Sequence, residues 1–186
     1  MASYDRELLS AAGSLLGRRA GQKGKLASAR IRRSLSTSYY ALFHFLLDET
    51  SNRLLGTHHD LRQRRRIFAR VLTHSGMRGT FDKIRGATID GTIGDFLRPS
   101  TVPVGPVRSP VFAQNMAKAF LDAQAKRNDA DYDLNVPLSV SDARLLKARV
   151  EHAIAGWRSA DSPSERDFKH ALCMLLLLKG QLRKET

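Results

Sequence analysis

Residues 27–54, ASARIRRSLSTSYYALFHFLLDETSNRL, form the longest stretch of regular hydrophobic spacing in the chain. Apolar side chains recur there at steps of three and four, which is the period of one face of an α-helix. The stripe consists of Ile31, Leu35, Tyr39, Leu42, Phe43 and Leu46. This spacing predicts one long amphipathic helix, and we expect it to end at Gly56.

The same period recurs on both sides of this stretch, whereas the strict alternation typical of strands is almost absent. We therefore predict an all-α fold of about six helices. They cover about 4–17, 27–54 and 59–75, then run from Ser109-Pro110 to about Arg127, from Ser139 or Ser141 for about five turns, and from the capped Ser162-Pro163-Ser164-Glu165 onward.

The chain has 186 residues, which is the size of one ordinary domain, and we expect a single domain over 1–186. Glycine and proline interrupt the helical period after the predicted stop at Ser75-Gly76. We predict a short helix near 80–85 and a long loop over about 86–108.

Positive charge is the most unusual feature of the composition: the net charge is +13 and the isoelectric point is near 10.6. Residues 1–98 hold 18 Lys and Arg against 8 Asp and Glu. Two stretches without acidic residues concentrate this charge: Arg18, Arg19, Lys23, Lys25, Arg30, Arg32 and Arg33, then Arg62, Arg64, Arg65, Arg66 and Arg70. Such runs favour a phosphate-rich partner, and we expect RNA. The predicted nucleic-acid contacts are Arg32, Arg33, Arg62, Arg64, Arg65 and Arg66.

Several function classes lack their sequence signature. Cys173 is the only cysteine, so disulfides within the chain and cysteine-based metal sites are excluded, and its apolar neighbours indicate an inert core thiol. Neither HExxH nor a glycine-rich phosphate loop occurs, and we expect no metal and no cofactor. The first residues do not resemble a secretory signal and no apolar run is long enough to span a bilayer, so we expect a cytoplasmic protein.

Histidine and arginine are the remaining candidates for chemistry, and they suffice for RNA cleavage without a metal. A histidine can move the proton of the 2′-hydroxyl or of the leaving oxygen, and an arginine can stabilise charge on the phosphate. In the predicted helix 59–75, Arg66, Arg70 and His74 lie at steps of four on one face, with Ile67 and Val71 on an adjacent apolar strip. Arg70 and His74 are the candidate catalytic pair, although the same spacing also occurs on basic helices without chemistry.

Two further groups could support that pair. Tyr40 and His44 share a face of the helix predicted over 27–54, in a spacing that is more often core. A second group lies where a predicted helix runs into a loop and consists of Arg127, Asp129, Asp131, Tyr132 and Asp133. Its carboxylates could hold an arginine or serve only as a cap.

The stretch from Arg33 to His44, RSLSTSYYALFH, resembles the second-helix signature of the HEPN superfamily of all-α nucleotide- and RNA-binding domains. Arg70-Val-Leu-Thr-His74 followed by Gly76, the RNDADYD stretch of 127–133 and the leucine-rich last helix resemble, in this order, a bacterial HEPN-like subgroup. The likeness covers residues 27–183.

The resemblance implies a bundle of four to five helices that forms a homodimer. Ribonuclease members carry an arginine and a histidine separated by four to six residues, whereas Arg70 and His74 are separated by three. Arg53 and His58 match the family spacing, but Gly56 lies between them. Many members are toxins or antiviral effectors, so an antitoxin or a nucleotidyltransferase is a further expected partner.

Three functions remain open from the sequence. The leading hypothesis is an RNA-binding HEPN-type protein that cleaves RNA without a metal in toxin or antiviral defence. The second is a non-catalytic HEPN module that binds nucleotide or a protein partner, with the candidate residues as internal hydrogen bonds. The third is a basic helical protein that coats nucleic acid or a ribosome.

Overall fold

The computed structural model describes residues 3–17, 24–98 and 105–178, and most of these residues are helical. The α-helices are α1 (Tyr4–Leu15), α2 (Lys25–Leu55), α3 (Arg62–Phe68), α4 (His74–Ile84), α5 (Gly91–Leu97), α6 (Val111–Tyr132), α7 (Val140–Ser159) and α8 (Pro163–Leu178). Two 3-10 turns flank α3, at His59–Leu61 and Ala69–Val71, and two short strands are β1 (Thr88–Ile89) and β2 (Val107–Arg108). The all-α prediction is confirmed, whereas the described residues form eight α-helices rather than about six.

Helix ends follow the predicted stop and cap residues where the local chemistry is strong. Helix α2 ends just before Gly56, which has a positive φ of 81° that glycine adopts without strain. Ser139 and Asp142 exchange hydrogen bonds at the start of α7, and Ser162 and Glu165 do the same at the start of α8. These reciprocal bonds satisfy N–H groups that a helix start leaves without partners.

The prediction of one helix over 59–75 is wrong, because Leu72 and Thr73 interrupt the helical conformation. Both residues are extended, with ψ of 120° and 150°. The Thr73 hydroxyl accepts a hydrogen bond from the Gly76 N–H at 3.2 Å and so caps α4, while Leu72 is buried. Ser75-Gly76 therefore lies in the first turn of α4 and does not end a helix.

The predicted loop over 86–108 also contains regular structure. Strands β1 and β2 pair antiparallel, with Ile89 opposite Val107, and α5 lies between them in sequence. The N–H of Ser109 donates to Ala87 O at 3.0 Å and its hydroxyl donates to Ile84 O at 3.0 Å. A two-residue strand is too short for the alternating pattern by which a strand is recognised in a sequence.

Contacts divide the chain into two compact units, and the single-domain prediction stays a prediction. Unit 1 comprises Met1–Phe45 and Lys118–Gly156. Its core is apolar, and the ring of Tyr39 in α2 lies 5.8 Å from the ring of Phe120 in α6. The Ser34 hydroxyl donates to Ala12 O in α1 at 2.9 Å, so a buried hydroxyl keeps a partner.

Unit 2 comprises Leu46–Ala117 and Trp157–Thr186. Its core is built around aromatic contacts: Phe112 lies edge-on to Trp157 at 5.4 Å and to Phe168 at 6.0 Å. Met77 and Phe81 of α4 are fully buried in the same unit. Helix α4 is thus fastened by its apolar face, whereas α3 has no buried residue among those described.

Candidate nucleic-acid interface

A group of exposed side chains follows the helical path from α3 into the 3-10 turn after it, and we call it the α3 surface. It consists of Arg62, Arg64, Arg66, Ile67, Arg70 and Val71, all exposed. Its four arginines have no hydrogen bond, ion pair or ring contact with any residue that the structure describes. Guanidinium groups without a described partner on a short helix are available to an external anion.

Arg65 differs from these neighbours because its guanidinium is used inside the protein. Its Nη1 donates to Gly56 O at 2.8 Å and to His58 O at 2.9 Å. These carbonyls follow the end of α2, so Arg65 fastens the connection that leads to α3. The prediction for Arg65 as a nucleic-acid contact stays untested, but the observed bonds give it a structural role.

Acidic side chains are scarce in the sequence segment that contains the α3 surface. Between residues 57 and 81 the only carboxylate is Asp60, against six arginines. Asp60 lies 3.2 Å from Nδ1 of His58 and 3.8 Å from Nδ1 of His59, and all three side chains are largely exposed. The positive charge of the segment is therefore not neutralised by carboxylates of its own.

Arg70 and His74 do not share one helix face, contrary to the prediction. Arg70 belongs to the 3-10 turn Ala69–Val71 and is exposed, whereas His74 is the first residue of α4 and is half-buried. The two extended residues Leu72 and Thr73 separate them. Arg70 and His74 are therefore not positioned next to each other by one turn of a helix.

Arg32 lies in α2, and its guanidinium binds backbone carbonyls at the end of α6 and just after it. Its two Nη atoms donate to five backbone carbonyls at 2.8 to 3.2 Å, those of Asp129, Ala130, Asp133, Leu134 and Val136. Two of these carbonyls, those of Asp129 and Ala130, lie in the last turn of α6, where carbonyls lack intrahelical partners, and the other three lie in the loop that follows. Arg33, the next residue, is exposed, and its guanidinium has no hydrogen bond, ion pair or ring contact with any described residue.

The predicted supporting residues at 127–132 come together with α2 and form what we call the Arg127 cluster: Ser36, Tyr40, Arg127, Asp131 and Tyr132. Arg127 Nη2 donates to the Tyr40 hydroxyl at 3.1 Å, and Nε lies 2.8 Å from Asp131 Oδ2 as an ion pair without hydrogen-bond alignment. Ser36 donates to the other oxygen of Asp131. The Arg127 guanidinium lies 5.0 Å from the Tyr132 ring centre.

Electrostatics stabilise the charged form of Arg127. Burial lowers its pKa, but the hydrogen bond to Tyr40 and the electrostatic interactions with Tyr40, Asp131 and Tyr132 outweigh burial and raise the pKa overall. His44 lies one turn beyond Tyr40 in α2, but its ring packs edge-on against Tyr4 at 5.0 Å. Arg127 is therefore held inside the protein by a hydrogen bond to Tyr40 and an ion pair with Asp131. Tyr132, at 72% exposure, is the most exposed member of the Arg127 cluster.

A buried cation in unit 2 was not anticipated from the sequence. Lys169 is 3% exposed, donates to Ala160 O just after α7, and lies 5.4 Å and 5.6 Å from the ring centres of Phe112 and Trp157. Burial lowers its pKa. Its position among leucines in α8 predicts only a core face, so no sequence signal distinguished this lysine from a solvent-exposed one.

The buried thiol agrees with the sequence analysis. Cys173 is buried, and burial raises its pKa to about 12, so the thiolate that would react is not formed near neutral pH. The described residues contain no group of three or more His, Cys, Asp or Glu side chains that could hold a metal ion. Within the same residues, no helix is long and apolar enough to cross a membrane.

Ile67 and Val71, the residues of the predicted apolar strip, are 56% and 60% exposed. Arg18, Arg19 and Lys23 of the first basic run lie outside the described residues.

Comparison of the chain with protein-family models, with curated proteins and with solved structures finds no match.

Proposed function

We propose that this protein binds RNA through the arginines of the α3 surface. One observation supports this most directly: Arg62, Arg64, Arg66 and Arg70 are exposed on one helical path and have no partner among the described residues. Neutralising phosphates with such groups releases condensed counterions, which is the main sequence-independent source of affinity for nucleic acid. Arg127, by contrast, is paired inside the protein with Tyr40 and Asp131.

Salt dependence provides the test. Each lost phosphate contact lowers the slope of log K against log salt by about 0.7 for single-stranded nucleic acid. Replacing Arg62, Arg64 and Arg66 with glutamine should therefore reduce the slope by about 2, measured by fluorescence anisotropy with a labelled RNA between 50 and 200 mM salt.

The matched control replaces three exposed arginines elsewhere, Arg6, Arg108 and Arg144, with glutamine. These also have no partner among the described residues, so the net charge changes equally. Their replacement should leave the slope nearly unchanged. Equal losses in the two triple variants would show that overall charge, and not the α3 surface, attracts the RNA.

Cleavage is a second part of the proposal, with Arg70 and His74 as the candidate residues. The feature in its favour is that exposed Arg70 shortly precedes the positive end of α4, where His74 is the first residue. In this reaction the 2′-oxygen attacks the phosphorus and the 5′-oxygen leaves, producing a 2′,3′-cyclic phosphate. His74 would take the proton from the 2′-hydroxyl and give it to the leaving 5′-oxygen, and Arg70 would stabilise the added negative charge on the phosphate.

An RNA-cleavage assay in EDTA tests this part. His74→Ala and Arg70→Ala should each abolish cutting, and His74→Ala should keep RNA binding within about twofold. Wild-type protein that binds RNA with a steep salt slope but never cuts it would favour a coating role. Protein that neither binds nor cuts RNA would favour the module that binds nucleotide or a protein.

We also propose that the helices form a HEPN-like bundle that pairs as a homodimer, in toxin or antiviral defence. The support is the resemblance quoted above, whose stretch from Arg33 to His44 lies within the single helix α2. Sedimentation of the purified protein tests the pairing, and a monomer at all accessible concentrations would contradict it.

A further inference from the structure

Ile67 and Val71 are exposed apolar side chains among the unpartnered arginines of the α3 surface. They are 56% and 60% exposed, and they lie four positions apart on one helical path. Arg64, Ile67 and Arg70 follow one another at steps of three, and Arg66 and Arg70 at a step of four. Apolar and cationic side chains thus alternate along the same face.

The fold itself does not depend on these two side chains. The 3-10 turn His59–Leu61, α3 and the turn Ala69–Val71 contain no buried residue, all within the described part of the chain. Leu61 and Phe68 are half-buried, and Arg65 supplies the hydrogen bonds to the preceding loop. Ile67 and Val71 can therefore be replaced without opening a cavity, which makes their contribution to binding measurable.

The chemistry of the face restricts the form of RNA that fits it. An A-form duplex has a major groove too deep and narrow for side chains, and its outer surface is phosphate and sugar. Against that surface Ile67 and Val71 would lose water without gaining an apolar partner. Unpaired bases instead offer apolar ring faces while their phosphates remain available to the arginines.

We infer that Ile67 and Val71 pack against unpaired nucleobases, so that the α3 surface binds single-stranded RNA in preference to duplex. This inference rests on the proposed function. The two residues are separated by about 6–8 Å along the helical axis, from the rise of α and 3-10 backbone. That distance corresponds to about two nucleotides of a stacked strand at roughly 3.4 Å each.

The experiment compares one labelled 12-nucleotide 2′-O-methyl RNA with the same strand annealed to its complement. The 2′-O-methyl group removes the hydroxyl needed for cleavage, so binding is measured without cutting. We expect the single strand to bind wild-type protein at least about tenfold more tightly than the duplex. The double variant Ile67→Ser, Val71→Ser should lose about five- to tenfold on the single strand and nothing on the duplex.

Val111→Ser is the matched control, because Val111 is 71% exposed in the same unit and far in sequence from the α3 surface. It should leave both affinities unchanged. The salt slope of the double variant should equal that of the wild type, since no cation is removed. Equal far-UV circular dichroism melting curves for wild type and variants would show that folding is unaffected.

Failure of this inference is distinguishable from failure of the proposed function. If neutralising Arg62, Arg64 and Arg66 weakens binding but single strand and duplex bind equally, or the serine variant binds like wild type, the inference is wrong and RNA binding stands. If no RNA responds to the arginine changes, both are wrong. If the serine variant instead loses binding to vesicles containing phosphatidylserine while the wild type shows no RNA preference, the occupant is a lipid surface and the inference is overturned.

Discussion

The α3 surface and the Arg127 cluster both contain arginine, but Arg127 and the nearby Arg32 have partners inside the protein, and the arginines of the α3 surface have no described partner. In the second region, guanidinium groups meet helix-end carbonyls, a tyrosine hydroxyl and a carboxylate. In the first region, four exposed arginines meet no described acceptor. The difference lies in the surroundings: a helix end supplies acceptors to an arginine, whereas the exposed side of a short helix supplies none. Arginine density in a sequence therefore does not by itself identify a binding surface.

The largest expected effect separates two adjacent arginines. Arg32→Ala should lower the free energy of unfolding by about 2–4 kcal/mol, because it leaves helix-end carbonyls without their charged donor. Arg33→Ala should change it by less than about 0.5 kcal/mol, because that guanidinium has no described partner. Urea unfolding of both variants measures this contrast. Similar losses would contradict the structural assignment of Arg32.

A smaller effect is expected inside the Arg127 cluster. Tyr40→Phe removes the hydroxyl that accepts from Arg127 at 3.1 Å but keeps the ring, and should cost about 0.5–1.5 kcal/mol of unfolding free energy. Tyr4→Phe is the control, because Tyr4 is 50% exposed and its hydroxyl has no described hydrogen bond. RNA affinity should not change in either variant. A loss of RNA binding in Tyr40→Phe but not in Tyr4→Phe would show that the Arg127 cluster takes part in RNA binding.

The smallest effect concerns Lys169, a buried cation that, like Arg32, donates to a carbonyl after a helix. Burial lowers its folded-state pKa below its ordinary value of 10.5. Between these two values the unfolded chain holds a proton that the folded chain has released, so raising the pH favours folding. The unfolding free energy of wild type minus that of Lys169→Met should therefore rise as pH increases toward 10.5. Urea unfolding at several pH values measures it, and a falling difference would contradict the pKa direction.

Sequence patterns predicted helices correctly where residues close in sequence determine where the helix begins and ends. The long helix α2 follows from its apolar stripe, and the starts of α7 and α8 follow from the capping residues Ser139 and Ser162. The break at Leu72-Thr73 was missed because two local tendencies compete there. Helical spacing continues through the break, but the Thr73 cap and burial of Leu72 favour the break.

The candidate interface could be predicted from the sequence only in part. The run from Arg62 to Arg66 indicated a positively charged element, and the exposure of three of its arginines agrees with that prediction. Nothing in the sequence distinguished Arg32 and Arg65, whose donors are used by backbone carbonyls, from their unpartnered neighbours. The exposure of Ile67 and Val71 could not be predicted either, because apolar residues at a step of four are also typical of a buried helix face.

Composition and periodicity alone determined that this chain is helical and strongly basic, since both depend only on residue type and spacing. Tertiary structure alone decided which cations are free, because a guanidinium is satisfied or left available according to the carbonyls and carboxylates that folding brings within about 3 Å of it. That distance condition links residues far apart in the chain, such as Arg32 and Val136. Spacing along the sequence carries no information about it.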